Sequence, residues 1–197
     1  MKDKDTILVI ADIRSKSIYM LLDAVEKSGV ICRKEYYDIT PEKVKEINPK
    51  GIILSGSPDH IYEEGATTLN PEIFNLGYPI LGICYGFQVI VTAFGGTVAL
   101  GEAFELAPFT AYLGTSKLFE NIPKVDTVWM AHYDRAFVMP LDFKLTAKTD
   151  TVPIAGIENE EKGLYAVQWH PEEPHSLNGQ TLIENFIFGI CKASKGE

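Results

Sequence analysis

Cysteine is scarce in this sequence: three in 197 residues, at Cys32, Cys84 and Cys191. An odd number lying far apart argues against a disulfide framework or a zinc ribbon and for a reducing compartment. Basic charge is short too. Eighteen lysines and arginines stand against 27 acids, a formal net charge of −9. A surface of that sign repels phosphate backbones, so neither nucleic acid nor an anionic membrane is expected as a partner. The phosphate-cradling signatures GxGxxG and GxxxxGK with a following Ser or Thr are both absent. There is no repeat, no low-complexity segment and no interdomain linker.

Long apolar runs are missing as well, with one stretch to weigh. Residues 73–101 carry no charge, and roughly 20 apolar residues would span a bilayer. Gly77, Pro79, Gly82, Gly86, Gly95 and Gly96 punctuate the stretch, however, and Gln88 and Thr92 interrupt what remains. A buried strand running into a buried helix fits better. The opening MKDKDTILVIAD has a charged start and only a short apolar segment, cut off by Asp12, which makes a poor secretory signal. A cytoplasmic, membrane-free protein is expected.

Hydrophobic residues at 46% and charged residues at 23% are those of a globular chain and exclude disorder, collagen and coiled coil. The length suits one domain over residues 1–197. TILVIAD is a continuous apolar run of the kind a parallel strand buried on both faces requires. Residues 15–28 then place Ile18, Leu21, Leu22 and Val25 at helical spacing, with Gly29 as the stop. VICRKEYYDI reads as a second strand, and Thr40-Pro41 as the cap and first position of a short helix. GIILSG and YPILGIC are a third and a fourth strand.

This alternation predicts an α/β fold: an open, mostly parallel twisted sheet with helices on both faces. After Gly96 the texture changes to short strand-like runs (TVAL, FTAYLG, DTVWMAH, KLTAKT, PIAGIE, LYAVQWH), expected to add a smaller antiparallel sheet. Residues 181–192 return to a helix with Leu182, Ile183, Phe186, Ile187 and Ile190 facing the core. The longest loop, residues 56–70, is polar and follows a strand end, where α/β folds place their sites.

Cys84 is the first candidate for chemistry. It stands in LGICYGFQ at the joint between an apolar strand and an apolar helix, with Gly82 and Gly86 two residues away on either side. That spacing is the cysteine form of the nucleophile elbow, a turn so tight that its flanks must lack a Cβ. A helix N-terminus also favours the thiolate. Cys32 and Cys191, in a strand pattern and on a helix core face, read instead as small buried hydrophobes.

A nucleophilic cysteine needs a base. His170 ends the last apolar strand in LYAVQWHPEEPH, and Glu172 follows with Pro171 between. In an extended segment residues two apart share a side, so the carboxylate can reach the imidazole and orient it. A solvated acid at a strand end is the blander reading of that pair alone. His170, Glu172 and His175 could also be read as metal ligands, but Pro171 and Pro174 forbid the helical face such a motif uses. For an oxyanion, the N–H of Tyr85 directly after the nucleophile is one donor. The turn in ILSGSP offers a second.

With these residues in place, the chain resembles the class I, triad-type glutamine amidotransferases, and most closely the glutaminase domain or subunit of GMP synthetase. The resemblance covers nearly the whole chain. It rests on GIILSGSP, PILGICYGFQVI with its FGG, WMAHYD, and GLYAVQWHPEEPH with the closing helix. It implies the flavodoxin-like fold of that class, with Cys84 as nucleophile, His170 as base and acid, Glu172 as its partner, and Tyr85 and Ser57 as oxyanion donors. It also implies a glutamine-binding set of Gly56, Gln88, His132, Tyr133 and Asp134, no metal and no cofactor in this chain.

Ammonia would pass to an ATP-pyrophosphatase synthetase subunit or domain that aminates XMP to GMP, where ATP and Mg would bind. Three departures from the family pattern stand out: Ser57 where glycine is usual, Ala131 where a polar residue is usual, and DIRSKS after the first strand. A glutaminase for another synthetase, a γ-glutamyl peptide hydrolase and a regulatory module without catalysis are the alternatives. Little activity is expected without the synthetase.

Overall fold

The computed structural model describes residues 5–15 and 17–194. In it the strand β1 (Thr6–Ala11), second from one edge of a nine-stranded sheet, is hydrogen-bonded on one side to β2 (Ile31–Tyr36) and on the other to β3 (Gly51–Leu54), both parallel. Then come β4 (Ile80–Ile83) and β9 (Leu164–Val167), again parallel. Because side chains alternate along a strand, β1 sends Ile7, Val9 and Ala11 into one core and Leu8 and Ile10 into the other. The helices α1 (Ile18–Lys27) and α4 (Gly179–Glu184) cover the first face; α2 (Pro41–Ile47) and α3 (Tyr85–Ala93) cover the second.

Local signals read from the sequence recur here. Ile18, Leu21 and Val25 of α1 are buried, and Gly29 behind it takes a φ of +86°. Thr40 caps α2, its hydroxyl accepting the Lys43 N–H at 3.3 Å, with Pro41 as the first helical residue. In the last helix Leu182, Ile183, Phe186 and Ile187 are buried and Ile190 packs against them. Its second half, Asn185–Ile190, is wound as a π-helix, which periodicity did not indicate.

The antiparallel strands continue the same sheet. β9 pairs with β8 (Gly156–Asn159), β8 with β7 (Lys144–Thr149), β7 with β5 (Thr97–Leu113), and β5 with β6 (Val125–Val138). TVAL and FTAYLG, read as two short strands, are the ends of one 17-residue β5. A register shift between Leu100 and Glu105 bulges its middle, so its hydrophobic pattern breaks without the strand ending. Among the described residues no helix is long and apolar enough to cross a membrane.

Candidate active site

The loops leaving the carboxyl ends of β1, β3, β4 and β9 meet, as parallel α/β sheets arrange their sites. Between β4 and α3, Cys84 takes a φ of +53° and ψ of −104°, a conformation an L-residue holds only when its surroundings fix it. Two glycines and a hydrogen bond do so. A Cβ on Gly82 would lie 2.5 Å from the Gly86 carbonyl oxygen, and one on Gly86 would lie 2.3 Å from that of Leu54. The Cys84 N–H donates to the Val167 carbonyl at 2.9 Å. The elbow inferred from the Gly-x-Cys-x-Gly spacing is therefore present, and Tyr85 opens α3, where a backbone N–H has no acceptor within the helix.

His170 arrives from β9. Its N–H donates to the Trp129 carbonyl at 2.9 Å, and its own carbonyl accepts the Ser176 hydroxyl at 2.6 Å. Ser176 also accepts the Trp129 N–H at 2.9 Å, so one buried serine ties β6 to the imidazole's backbone. The ring meets Glu172, with Nδ1 2.7 Å from Oε1, and the Glu172 side chain is 1% exposed. An ionised carboxylate only accepts, so Nδ1 carries the proton and Nε2 is left for the sulfur. The chain does not run extended here, as the His-Pro-Glu spacing suggested. It turns, with the Glu173 N–H donating to the His170 carbonyl at 3.3 Å.

Burial alone would push the His170 ring towards neutrality. The Glu172 carboxylate, the Cys84 sulfur and hydrogen bonds to both outweigh it and hold the ring's pKa well above the ordinary histidine value. Gly56 lies against both partners, since a Cβ there would stand 3.2 Å from His170 Cε1 and 3.8 Å from Cys84 Cβ. Gln168 adds a donor, its Nε2 3.8 Å from Cys84 Sγ. Burial raises the thiols of Cys32, to about 12, and Cys191.

Cys84 opens onto two hollows. One, of about 280 Å³, is lined by Ser57, His60, Gln88, Ala131, Tyr133 and Asp134 among others. The second, of about 520 Å³, is more apolar and is bounded by Met20, Phe104, Leu106, Trp129 and His170. In the first, the Asp134 carboxylate is buried and faces His60 Nδ1 at 2.8 Å and the Tyr62 hydroxyl at 3.1 Å. Gln88 Nε2 donates to the Asp134 carbonyl at 3.2 Å, while Gln88 Oε1 is buried, has no partner among the described residues and is available to a ligand.

Tyr133 is half-exposed and stacks on Phe104 at 4.3 Å. His132 is buried opposite Glu105, and burial keeps its pKa below the ordinary histidine value. Its Nε2 is 3.2 Å from Glu105 Oε2, close enough for an ion pair but misaligned for a hydrogen bond. His175 stacks on Trp129 at 4.7 Å, and no three His, Cys, Asp or Glu side chains among the described residues are placed to hold a metal.

The structure thus brings Cys84, His170 and Glu172 together and sets Gly56, Ser57, Gln88, His132, Tyr133 and Asp134 around the first two. His60, Tyr62, Gln168 and Ser176 were not singled out from the sequence. For His60 and Tyr62 the signal was their place in the long polar loop after β3. Gln168 had one too, two residues before His170 in the LYAVQWH run.

Residues 9–190 match the family model of the class-I glutamine amidotransferases. GMP synthase (glutamine-hydrolyzing) of Bacillus cereus is 43% identical over 196 residues, which is 99% of this chain and 38% of that protein. The protein of the same name from Bacillus anthracis is 42% identical over the same share. The chain therefore spans well under half the length of these relatives. Among solved structures, a candidate GMP synthase subunit of Thermoplasma acidophilum superposes with a TM-score of 0.87 at 28% identity, covering 98% of this chain and 96% of that one. A glutamine amidotransferase of Thermotoga maritima shares the fold, with a TM-score of 0.77 at 16% identity over 96% and 99% of the two chains.

Proposed function

The chain belongs to the class I glutamine amidotransferases, and from that membership we propose that it hydrolyses glutamine through a thioester on Cys84. The side-chain amide of glutamine lies at Cys84 and its α-ammonium at Asp134, where a buried carboxylate forms charge-assisted hydrogen bonds. The thiolate attacks the amide carbon, and the C=O pair moves onto oxygen. Backbone N–H groups of Tyr85 and Ser57 hold that oxyanion. As the carbonyl re-forms, the C–N bond breaks and the His170 imidazolium protonates the departing nitrogen. Ammonia leaves and a γ-glutamyl thioester remains. Neutral His170 then takes a proton from water at Nε2, the hydroxide adds to the thioester carbon, and the C–S bond breaks. Glutamate departs and the thiolate–imidazolium pair is restored. No cofactor enters these steps.

The observation that carries the proposal is the strained Cys84 set against His170, whose ring is held by Glu172 at 2.7 Å. The test is stoichiometric: one ammonia and one glutamate per glutamine, lost in Cys84→Ala. Faster release from γ-glutamyl dipeptides than from glutamine would instead make the protein a γ-glutamyl hydrolase.

The ammonia acceptor is part of the same proposal. Similarity to GMP synthases, of which this chain spans 38%, and to the Thermoplasma acidophilum subunit supports an ATP-pyrophosphatase synthetase that forms GMP, either a separate chain or a further domain. ATP and Mg would bind there. Co-purification with that synthetase, and glutamine turnover that rises when it is added, test the pairing; binding to a different synthetase would redirect it.

A further inference from the structure

Ser57, in the turn after β3, is tied to Asp12, which opens the DIRSKS segment after β1. The Ser57 hydroxyl donates to Asp12 Oδ2 at 2.6 Å. Asp12 itself is buried at the end of β1 and receives Arg14 three ways: backbone N–H to Oδ1 at 2.8 Å, Nε to Oδ1 at 3.0 Å, and Nη2 to Oδ2 at 2.6 Å. Arg14 Nη2 also reaches Asp59 at 2.8 Å and the Thr67 hydroxyl at 3.1 Å. Asp59 in turn accepts the Thr67 N–H and hydroxyl, each at 2.8 Å.

The circuit closes on the elbow. The Tyr85 hydroxyl donates to the Thr67 carbonyl at 2.6 Å, and the Thr67 hydroxyl lies 3.2 Å from Asp12 Oδ2. Both residues whose N–H groups are proposed to hold the oxyanion are thus fastened, through their side chains, to one buried carboxylate and its arginine. Neither Asp12 nor Arg14 has a part in the chemistry described above. Burial works against the Asp12 charge, but the bonds from Arg14 and Ser57 overcome it and hold the carboxyl well below its ordinary range.

We infer that Asp12 and Arg14 are positioning residues for the oxyanion hole, acting through the Ser57 hydroxyl and Thr67 to hold the loop after β3 against the Tyr85 elbow. A glycine at position 57 would have no side chain with which to be held. The inference rests on the glutaminase reading for its kinetic consequence, while the fastening of the loop stands on geometry alone. A misplaced oxyanion donor weakens the transition state more than the bound amide. The signature is accordingly a fall in kcat with little change in KM.

The experiment compares Ser57→Ala, Asp12→Asn and Arg14→Ala with the wild type by glutamine kinetics and by hydrogen exchange of residues 56–67. Ser57→Ala removes a single hydroxyl and is the variant least open to misfolding; a thermal melt checks all three. The expected result is a drop in kcat of about tenfold or more, on the scale of a weakened oxyanion donor. KM stays within about twofold, and exchange across the loop becomes faster. Wild-type kcat in Ser57→Ala and Asp12→Asn overturns the positioning role. Unchanged exchange overturns the fastening, whether or not the wild type is active. A wild type that stays inactive with the synthetase present, together with faster exchange in the variants, overturns the glutaminase reading and leaves the fastening standing.

Discussion

His170 Nδ1 and Glu172 Oε1 stand 2.7 Å apart across a single proline, inside a turn closed by the Glu173 N–H on the His170 carbonyl. That bond fixes which ring nitrogen bears the proton, and so turns the other towards Cys84. Glu172→Gln keeps the shape and removes the charge. Since Glu172 is the foremost group raising the His170 pKa, its loss lowers the pH at which the imidazolium gives up its proton. The alkaline limb of kcat/KM should therefore move to lower pH, and kcat should fall by about 10²–10⁴. A pH–rate profile checks both; an unmoved limb would remove Glu172 from the mechanism.

The glycines of the elbow make a prediction about folding. Gly82→Ala and Gly86→Ala each set a Cβ within 2.5 Å of a backbone oxygen, and backbone cannot step aside as a side chain can. Each should cost about 1–3 kcal/mol or more, measured by urea unfolding, and should lower Cys84 reactivity. Gly65→Ala, where nothing lies within 4 Å but φ is +81°, is the control for backbone strain alone.

Ser176 bonds both Trp129 and His170 at the backbone. Ser176→Ala takes the Trp129 N–H from its partner and leaves the His170 carbonyl only the longer Glu173 bond, a loss of about 1–3 kcal/mol. It should lower kcat as the imidazole loses its seat, with the melting temperature and kcat falling together. Unchanged kcat would make Ser176 purely a matter of stability.

Asp134 is proposed to receive the α-ammonium of glutamine. Asp134→Asn should raise KM by about tenfold or more while kcat changes less. Glutamine binding to Cys84→Ala, followed by calorimetry, gives the same comparison without turnover. Equal affinity in the Asp134→Asn background would place the α-amino group elsewhere.

The elbow at Cys84 was legible because a tight strand-to-helix turn forces two glycines into fixed positions, and the sequence displays them on either side of Cys84. The parallel half of the sheet was legible too, since strands buried on both faces must be continuously apolar, as TILVIAD and GIILSG are. The bulged β5 was not. Its faces are unevenly covered, so Phe104 and Leu106 are exposed in mid-strand and the alternation that marks a strand is lost. The turn at His170 escaped for a different reason: extended and turned backbones both bring a residue two positions on to the imidazole. The contacts of Asp12 with Ser57 and of His60 with Asp134 span 45 and 74 positions, and no local pattern announces pairings of that reach.

The central claim is that Cys84 is a nucleophile in a pocket shaped for glutamine. Incubation with 6-diazo-5-oxo-norleucine, a glutamine-like electrophile, followed by intact mass measurement tests it directly, beside Cys84→Ala and with free glutamine as competitor. One adduct per chain, absent from Cys84→Ala and slowed by glutamine, is the predicted result. No adduct even with the synthetase present, or an adduct that survives in Cys84→Ala, would contradict the account.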